Sequence, residues 1–171
     1  DGGDGDDSVF GNKGLDTILG SSGNDSISGG GGRDTLNYSN FEGDVVLKSV
    51  GVIDKFADVG GGSFMFDGSD TIGSIETIVG NENFINAIDG TDGAAGNGSF
   101  VIDLAANSLV VNIDTTTPGV PPSISFEVFN FIDVVGTVND DVITGDDQDN
   151  FIFGSEGNDT IQGGTGSDTA D

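Results

Sequence analysis

A nine-residue repeat constrains the fold of this chain more than any other feature of its sequence. Four copies run without a gap from residue 2 to residue 37, and four more run from residue 136 to residue 171. Gly is frequent at the first and fourth positions, Asp at the sixth and an aliphatic residue at the eighth. The sixth positions hold Asp7, Asp16, Asp25, Asp34, Asp141, Asn150, Asp159 and Asp168. Repeats of fixed period indicate an architecture in which successive copies stack on one another.

Each copy predicts one short strand followed by one tight turn. The three residues centred on the aliphatic position have β propensity and alternate outward, inward and outward. The six residues rich in Gly, Asp and Asn supply the positive φ angles that a tight turn requires. Two copies therefore complete one coil, and turns two copies apart stack on the same edge at the strand spacing of about 4.8 Å.

Stacking brings the acidic side chains close together. The spacing predicts four same-edge pairs, namely Asp7 with Asp25, Asp16 with Asp34, Asp141 with Asp159, and Asn150 with Asp168. Two carboxylates this close cannot both stay charged without a cation between them. Backbone carbonyls of the Gly-rich turns add oxygens, so we expect Ca²⁺, which takes roughly six to eight oxygen ligands. Mg²⁺ demands near-octahedral geometry and transition metals lack their preferred ligands here.

Composition excludes several classes of function. The 171 residues include 30 acidic residues, 4 basic residues, no His and no Cys, and the formal net charge is −26. Without His or Cys there is no Ser-His-Asp or Cys-His nucleophile, no zinc–thiolate site and no disulfide. The scarcity of Lys and Arg excludes a basic nucleic-acid interface, and the absence of a long apolar run argues against membrane insertion. We expect no enzymatic activity.

The eight copies resemble the GGxGxDxUx nonapeptides of the RTX, or haemolysin-type calcium-binding, family. The resemblance implies an all-β fold, namely a right-handed parallel β-roll or β-helix solenoid with Ca²⁺ between stacked turns. It also implies export of an unfolded chain that folds on meeting extracellular calcium. Carried over by position, it implies metal ligation by the eight sixth-position residues, with Asn150 as the weaker donor. It assigns to the carbonyl-lined turns Gly2, Gly5, Gly11, Gly14, Gly20, Gly23, Gly29, Gly32, Gly157 and Gly166.

The C-terminal copies depart from this pattern. Thr137, Asp146 and Ser155 replace the second Gly, and Asn139 and Gln148 replace the fourth-position Gly. Because these substitutions alter the turn, we expect the sites on those turns to be weaker or missing. Pairing of same-edge turns predicts about four complete calcium sites in the chain.

The sequence divides into three segments. The N-terminal repeat block spans 1–37, a divergent β-rich middle spans 38–135, and the C-terminal repeat block spans 136–171. The middle contains two divergent copies of one longer unit, at a shift of about 56 residues, and we interpret it as further solenoid coils with a larger core and no metal. A small β-sandwich between two rolls is the alternative.

Within the middle segment, apolar patterning predicts strands and two loops, and no segment shows helical periodicity over more than two turns. The predicted strands are Val45–Ile53, Ser63–Phe66, Ile75–Val79, Phe100–Leu104, Leu109–Ile113 and Ile124–Val135. The helical candidate is Asp103–Leu109. Loops are predicted at Gly90–Ser99 and at Thr115–Ser123, which contains all three Pro residues.

These patterns favour a calcium-binding structural module of a large secreted bacterial surface protein, such as an adhesin, a surface layer or an extracellular filament. Both ends of the sequence lie inside the repeat, so we expect an excerpt of a longer protein whose open coils stack head to tail as a homo-oligomer on extracellular Ca²⁺. The alternative is an accessory module of an exported protease, lipase or epimerase with its catalytic domain elsewhere. Recognition of ice or sugar by a flat face is a weaker third reading, because the outward Thr ladder is only partial.

Overall fold

The computed structural model describes residues 1–49, 51–91, 98–113 and 123–171. Within these ranges every regular secondary-structure element is a β-strand, which confirms the predicted all-β class. In chain order the strands are β1 (Ser8–Phe10), β2 (Lys13–Gly14), β3 (Thr17–Leu19), β4 (Ser26–Ser28), β5 (Gly31–Gly32), β6 (Thr35–Asn37), β7 (Gly43–Lys48), β8 (Val52–Gly60), β9 (Ser63–Gly73), β10 (Thr77–Val79), β11 (Ala87–Asp89), β12 (Ser99–Asp103), β13 (Ser108–Asn112), β14 (Ser123–Phe129), β15 (Asp133–Val135), β16 (Val142–Thr144), β17 (Phe151–Phe153), β18 (Thr160–Gln162) and β19 (Thr169–Ala170).

The chain folds into two compact units. The first comprises Asp1–Leu47, Gly51–Asn86 and Phe129–Phe131, and the second comprises Lys48–Val50, Ala87–Val128 and Ile132–Asp171. Each unit therefore contains one repeat block together with part of the middle segment. The division into three segments drawn from the sequence stays a prediction.

In the first unit the repeat strands pair in parallel. β1 pairs with β4 and β3 with β6, and the partners lie 18 residues apart, as the two-copy coil predicts. The stacks continue beyond the repeat block, because β4 pairs with β9 and β6 with β10, again in parallel. The eighth-position residues face each other along these stacks, and Ile18, Ile27 and Leu36 are buried, as is Ile78 in β10.

The second unit repeats this arrangement at its C-terminal end. β11, β15, β17 and β19 form one parallel stack, and β12, β16 and β18 form another. Ile88, Val134, Ile143 and Ile152 are fully buried in these stacks. The aliphatic residue of the nonapeptide is therefore the core residue of the coil, which burial of its side chain stabilises.

The sheets are mixed rather than wholly parallel. β8 and β9 form a long antiparallel pair, and β12, β13 and β14 form an antiparallel meander. The short helical candidate Asp103–Leu109 is not a helix, because it comprises the end of β12, a turn and the start of β13. The Asp103 side chain accepts the N–H of Ala106, and Asn107 has a φ of 54°, so the chain reverses instead of continuing as a helix.

Two predicted strands are each divided in two by a residue with positive φ. Val45–Ile53 is interrupted at Gly51, where φ is 75°, and Ile124–Val135 is interrupted at Asn130, where φ is 62°. The predicted loops at Gly90–Ser99 and Thr115–Ser123 fall mainly on 92–97 and 114–122, which lie outside the described residues.

Among the described residues, none belongs to a helix long and apolar enough to cross a bilayer.

Candidate metal centres

The sixth-position side chains stack along the coil edges as the repeat spacing predicts. In each pair, the backbone N–H of the first member donates to one side-chain oxygen of the second. The bonds run from Asp7 to Asp25 Oδ1 (3.0 Å), Asp16 to Asp34 Oδ1 (2.9 Å), Asp141 to Asp159 Oδ1 (2.9 Å) and Asn150 to Asp168 Oδ1 (3.1 Å). This bond fixes the orientation of each carboxylate and directs its other oxygen into the turn.

The other oxygen lies against the first-position glycine of its own turn. A Cβ on Gly11 would come within 2.8 Å of Asp16 Oδ2 and would clash with the carbonyl oxygen of Gly29. A Cβ on Gly29 would come within 2.5 Å of Asp34 Oδ2 and would clash with the carbonyl oxygen of Ser74. Glycine is needed here because carboxylate and carbonyl oxygens converge on the space that a side chain would fill.

Most first-position glycines repeat this contact, whereas Gly145 meets the amide oxygen of Asn150 and Gly20 meets no sixth-position oxygen. Hypothetical Cβ atoms on Gly2, Gly136, Gly154 and Gly163 lie 2.5–2.6 Å from the Oδ2 of Asp7, Asp141, Asp159 and Asp168, respectively. At Gly20 the same space is taken by the aromatic ring of Tyr38. The turn that carries Asp25 therefore lacks the oxygen-lined space of the others.

Backbone conformation separates two kinds of turn. The fourth-position glycines Gly5, Gly14, Gly23, Gly32, Gly157 and Gly166 have φ angles of 103–144°. In five turns the second-position residue also has positive φ, and these residues are Gly3, Asn12, Gly30, Ser155 and Gly164. We call these five the regular turns; they carry Asp7, Asp16, Asp34, Asp159 and Asp168. The other three turns, which we call the substituted turns, carry Asp25, Asp141 and Asn150. Ser155 also replaces the second Gly, but it keeps the positive φ of 75°, so its turn is regular.

Two carboxylate oxygens in regular turns are buried without a hydrogen-bond donor. They are Asp16 Oδ2 and Asp34 Oδ2, and the whole of Asp34 is 0% exposed. An ionised carboxylate oxygen that is buried without a donor is destabilising, and a cation at this place would satisfy it. The donor set fits Ca²⁺, which binds carboxylate and carbonyl oxygens. Asp67 Oδ2 is a third such oxygen, outside the repeat blocks.

Carboxylates alone do not make these centres. Within the part of the chain that the structure describes, no three acidic side chains converge closely enough to hold a metal ion. An ion at Asp16 or Asp34 would therefore take most of its ligands from backbone carbonyls of the turns, together with water.

The substituted turn of Asp141 is satisfied by protein donors. The backbone N–H of Thr137 donates to Asp141 Oδ2 (2.6 Å), and its hydroxyl donates to Asp141 Oδ1 (3.0 Å). The N–H of Phe100 also donates to Oδ1 (2.5 Å). Burial raises the pKa of Asp141, while these hydrogen bonds oppose that rise. The replacement of the second Gly by Thr thus supplies donors where the regular turn leaves an oxygen bare.

The substituted turn of Asn150 uses an amide in place of a cation. Asn150 Nδ2 donates to the carbonyl of Ile132 (2.9 Å) and to Asp146 Oδ1 (3.1 Å), while Oδ1 accepts the N–H of Asp146 (2.9 Å). Asn86 shares the acidic position by sequence and behaves alike, because its Nδ2 donates to the carbonyls of Asn81 (2.9 Å) and Asn130 (2.7 Å). The amide hydrogens occupy carbonyls that could otherwise face an ion.

The turn of Asp25 is completed by a buried lysine that sequence reasoning missed. Lys55 is 0% exposed, and its Nζ donates to Asp70 Oδ1 (2.5 Å) and to the carbonyl of Ser21 (2.5 Å). The same ammonium lies 3.6 Å from Asp25 Oδ2, and Tyr38 donates its hydroxyl to Asp70 Oδ2 (2.5 Å). Burial raises the pKa of Asp70, against the effect of Lys55 and Tyr38.

Asp70 is itself a third level of the stack that the repeat search did not find. The N–H of Asp25 donates to Asp70 Oδ1 (3.0 Å), as in the pairs within the blocks. A signal was present, because Gly68, Asp70 and Ile72 keep the fourth, sixth and eighth positions of the repeat. Gly68 also has the expected positive φ, of 117°.

Comparison with known proteins identifies the same two blocks. The family model of the RTX calcium-binding nonapeptide repeat (4 copies) matches residues 1–36 and 135–170. No curated protein matches the chain. The matched ranges contain all five regular turns, whereas Lys55, Asp70 and Asn86 lie outside them.

Proposed function

We propose that the two blocks, which are RTX calcium-binding nonapeptide repeats, make this chain a calcium-folded structural module of a large secreted bacterial surface protein. RTX repeats bind calcium and occur in secreted bacterial proteins. An adhesin, a surface layer or an extracellular filament is the parent that best suits a chain built of stacked strands and acidic turns. In this proposal each repeat block is a right-handed parallel β-roll with Ca²⁺ between turns of the same edge.

One observation carries the proposal, namely the unpartnered oxygens of Asp16 and Asp34. Without a cation, folding would bury these charges at a large cost in free energy. A bound Ca²⁺ removes that cost, so the free energy of calcium binding becomes free energy of folding. Extracellular calcium modules bind at about 10⁻⁴–10⁻³ M, far above the free calcium of a cytosol. The chain would therefore stay unfolded until it leaves the cell.

Calcium occupancy should follow the type of turn. The proposal comprises about four sites, and it places the strongest between Asp16 and Asp34, where both turns are regular. Pairs that combine a regular turn with a substituted one, such as Asp141 with Asp159, have fewer free oxygens and should bind more weakly.

Assembly of chains is part of the same proposal. β1 and β19 are outermost strands of their sheets and offer backbone groups for pairing with another copy. Head-to-tail stacking through such edges would give a filament. Electron microscopy at millimolar Ca²⁺ should show linear assemblies, and a uniform field of dispersed monomers would contradict this part.

No catalytic role is assigned to this chain. A groove of about 720 Å³ in the second unit is lined by Leu104, Asn107, Asp146, Asp147 and other residues. Burial tends to raise the pKa of Asp146, but hydrogen bonds from Gln148 and Asn150 prevail and lower it. Such a carboxylate stays ionised and is a poor general acid.

The test is a calcium titration of the chain, monitored by circular dichroism. We expect a largely unfolded chain in chelator, a cooperative gain of β structure with Ca²⁺, and reversal by chelator. Mg²⁺ at the same concentration is the matched control and should produce a much smaller change. A chain that is fully β-structured in chelator and unchanged by Ca²⁺ would overturn the proposal.

A further inference from the structure

The edge that carries Asp16 and Asp34 continues one level past the repeat block. β10 pairs with β6 in parallel, and this register sets Thr77 beside Thr35. The N–H of Asp34 donates to Glu76 Oε2 (2.8 Å), as the N–H of Asp16 donates to Asp34. Glu76 therefore takes the place of a sixth-position carboxylate in a segment that does not match the repeat family.

The free oxygen of Asp34 belongs to this upper level. Asp34 Oδ1 is held by the N–H of Asp16, so Oδ2 is the oxygen left to the turn, and it is buried without a donor. The hypothetical Cβ on Gly29 meets both Asp34 Oδ2 and the carbonyl of Ser74. One level below, the Cβ position on Gly11 meets Asp16 Oδ2 and the carbonyl of Gly29. The two bare oxygens thus face two successive levels of the edge.

The opposite edge carries a cation at the corresponding level of the stack. There Asp25 is followed by Asp70, and the ammonium of Lys55 bonds to Asp70 and to the carbonyl of Ser21 while approaching Asp25. A positive charge therefore lies between turn carbonyl and stacked carboxylates on that edge. On the Asp34 edge the corresponding carboxylate oxygen has no hydrogen-bond donor from the protein.

We propose that Asp34, Glu76 and the carbonyl of Ser74 form a further calcium site, which closes the N-terminal block with a segment outside the repeats. Ser74 has a φ of 51°, a strained conformation for a residue with a side chain, in the segment that presents this carbonyl. Turn carbonyls and water supply the remaining ligands. The inference rests on the proposed function, because both require the same ion.

The test counts calcium ions bound per chain, by native mass spectrometry and equilibrium dialysis at 1 mM free Ca²⁺ (about the affinity limit of extracellular modules). Glu76→Gln keeps an oxygen for the N–H of Asp34 but removes the charge. We expect this variant to bind about one ion fewer than the parent chain. Glu82→Gln, an exposed residue in the same unit, makes the same change of charge and should keep every ion.

Asp34→Asn is the second variant. The amide should donate to turn carbonyls as those of Asn86 and Asn150 do, so we expect the chain to fold with fewer ions. Because Asp34 also belongs to the site shared with Asp16, the further site predicts that Asp34→Asn loses two ions where Asp16→Asn loses one, and this difference decides if Glu76→Gln does not fold. If the folded variants keep the ion count and affinity of the parent chain, and Asp16→Asn still loses an ion, this site is overturned. A parent chain that binds no calcium would instead overturn the proposed function.

Discussion

The turns of Asp16 and Asn150 have the same place in the repeat but opposite requirements. Asp16 lies in a regular turn, and its buried Oδ2 has no donor. Asn150 lies in a substituted turn, where its amide donates to Ile132 and Asp146. A sixth-position side chain needs positive charge or hydrogen-bond donors, and the chain's own atoms meet this need in the turn of Asn150 but not at Asp16 Oδ2.

The sixth-position side chains meet this need in different ways. Asp16 and Asp34 each have a buried oxygen without a donor, the turn of Asp141 uses Thr137, Asn86 and Asn150 use their own amides, and the turn of Asp25 uses Lys55. Calcium dependence should therefore differ from turn to turn.

Lys55→Met should be the most destabilising of these substitutions. It leaves Asp25 and Asp70 buried without their shared cation, and breaking a buried ion pair costs about 3–5 kcal/mol. Urea unfolding of both variants at the same saturating Ca²⁺ concentration measures the loss, because the chain is expected to be folded only with calcium. Lys48→Met is the control, because its ion pair with Asp89 is partly exposed and should cost about 1 kcal/mol or less. Equal losses would show that Lys55 is not a cation for its turn.

Lowering the calcium concentration should loosen the two repeat blocks unequally. In hydrogen exchange at the lowest Ca²⁺ concentration at which the chain stays folded, amides of β3 and β6 should lose more protection than those of β15, β16 and β17. The reason is that β3 and β6 follow turns whose carboxylates have bare oxygens, whereas protein donors satisfy Asp141 and Asn150. Equal loss of protection in the two blocks would contradict the distinction between regular and substituted turns.

Reciprocal exchange of the sixth-position residues should reverse their behaviour. Asn150→Asp removes two amide donations and adds a charge beside Asp168, so it should cost about 1–3 kcal/mol at the lowest Ca²⁺ concentration at which the chain stays folded, and it should increase the further stabilisation by Ca²⁺. Asp16→Asn should do the opposite and reduce the calcium-induced rise in Tm. Asp16→Ala should weaken the site shared with Asp34 and leave the C-terminal block nearly unchanged. Thermal scans at low and at saturating Ca²⁺ measure these effects, and identical calcium responses in both exchanges would contradict the difference between the two turns.

Thr137→Val should have the smallest effect. It removes the hydroxyl bond to Asp141 but keeps the backbone bond, so we expect a loss of about 1 kcal/mol with little dependence on Ca²⁺. Thr17→Val, at an exposed position of β3, should change stability by less than about 0.5 kcal/mol. A loss of stability that Ca²⁺ restores in full would contradict this expectation, because it would mean that an ion binds at Asp141 once the hydroxyl is gone.

Much of the fold inside the repeat blocks followed from spacing. The nine-residue register predicted the strands, the two-copy coil and the stacking of Asp16 on Asp34, because each depends on local propensity and on a fixed count of residues. The middle segment was less predictable. Gly51 and Asn130 interrupt predicted strands, and the antiparallel pairing of β8 with β9 depends on contacts that no periodic pattern signals.

The candidate sites were predictable in kind but not in detail. Sequence placed the carboxylates and the first-position glycines, but it gave no means to tell which oxygens would be bare. That depends on donors such as Thr137 and Lys55, which approach from the same turn or from a distant strand. Glu76 could not be found by pattern, because it replaces Asp in a segment without the repeat.

The sequence by itself determined that this chain is all-β, that its turns are acidic, and that oxygen is its metal-binding chemistry, since it has no His or Cys. Only the tertiary structure decided which turns need an ion. Every sixth-position Asp occurs in a similar local sequence, yet the atoms around these residues differ. Asp25 lies beside the ammonium of Lys55, which is 30 residues away in the chain, whereas the buried Oδ2 of Asp34 has no hydrogen-bond donor. The physical reason is that the energy of a buried charge depends on the atoms around it, and those atoms come together only in the folded chain.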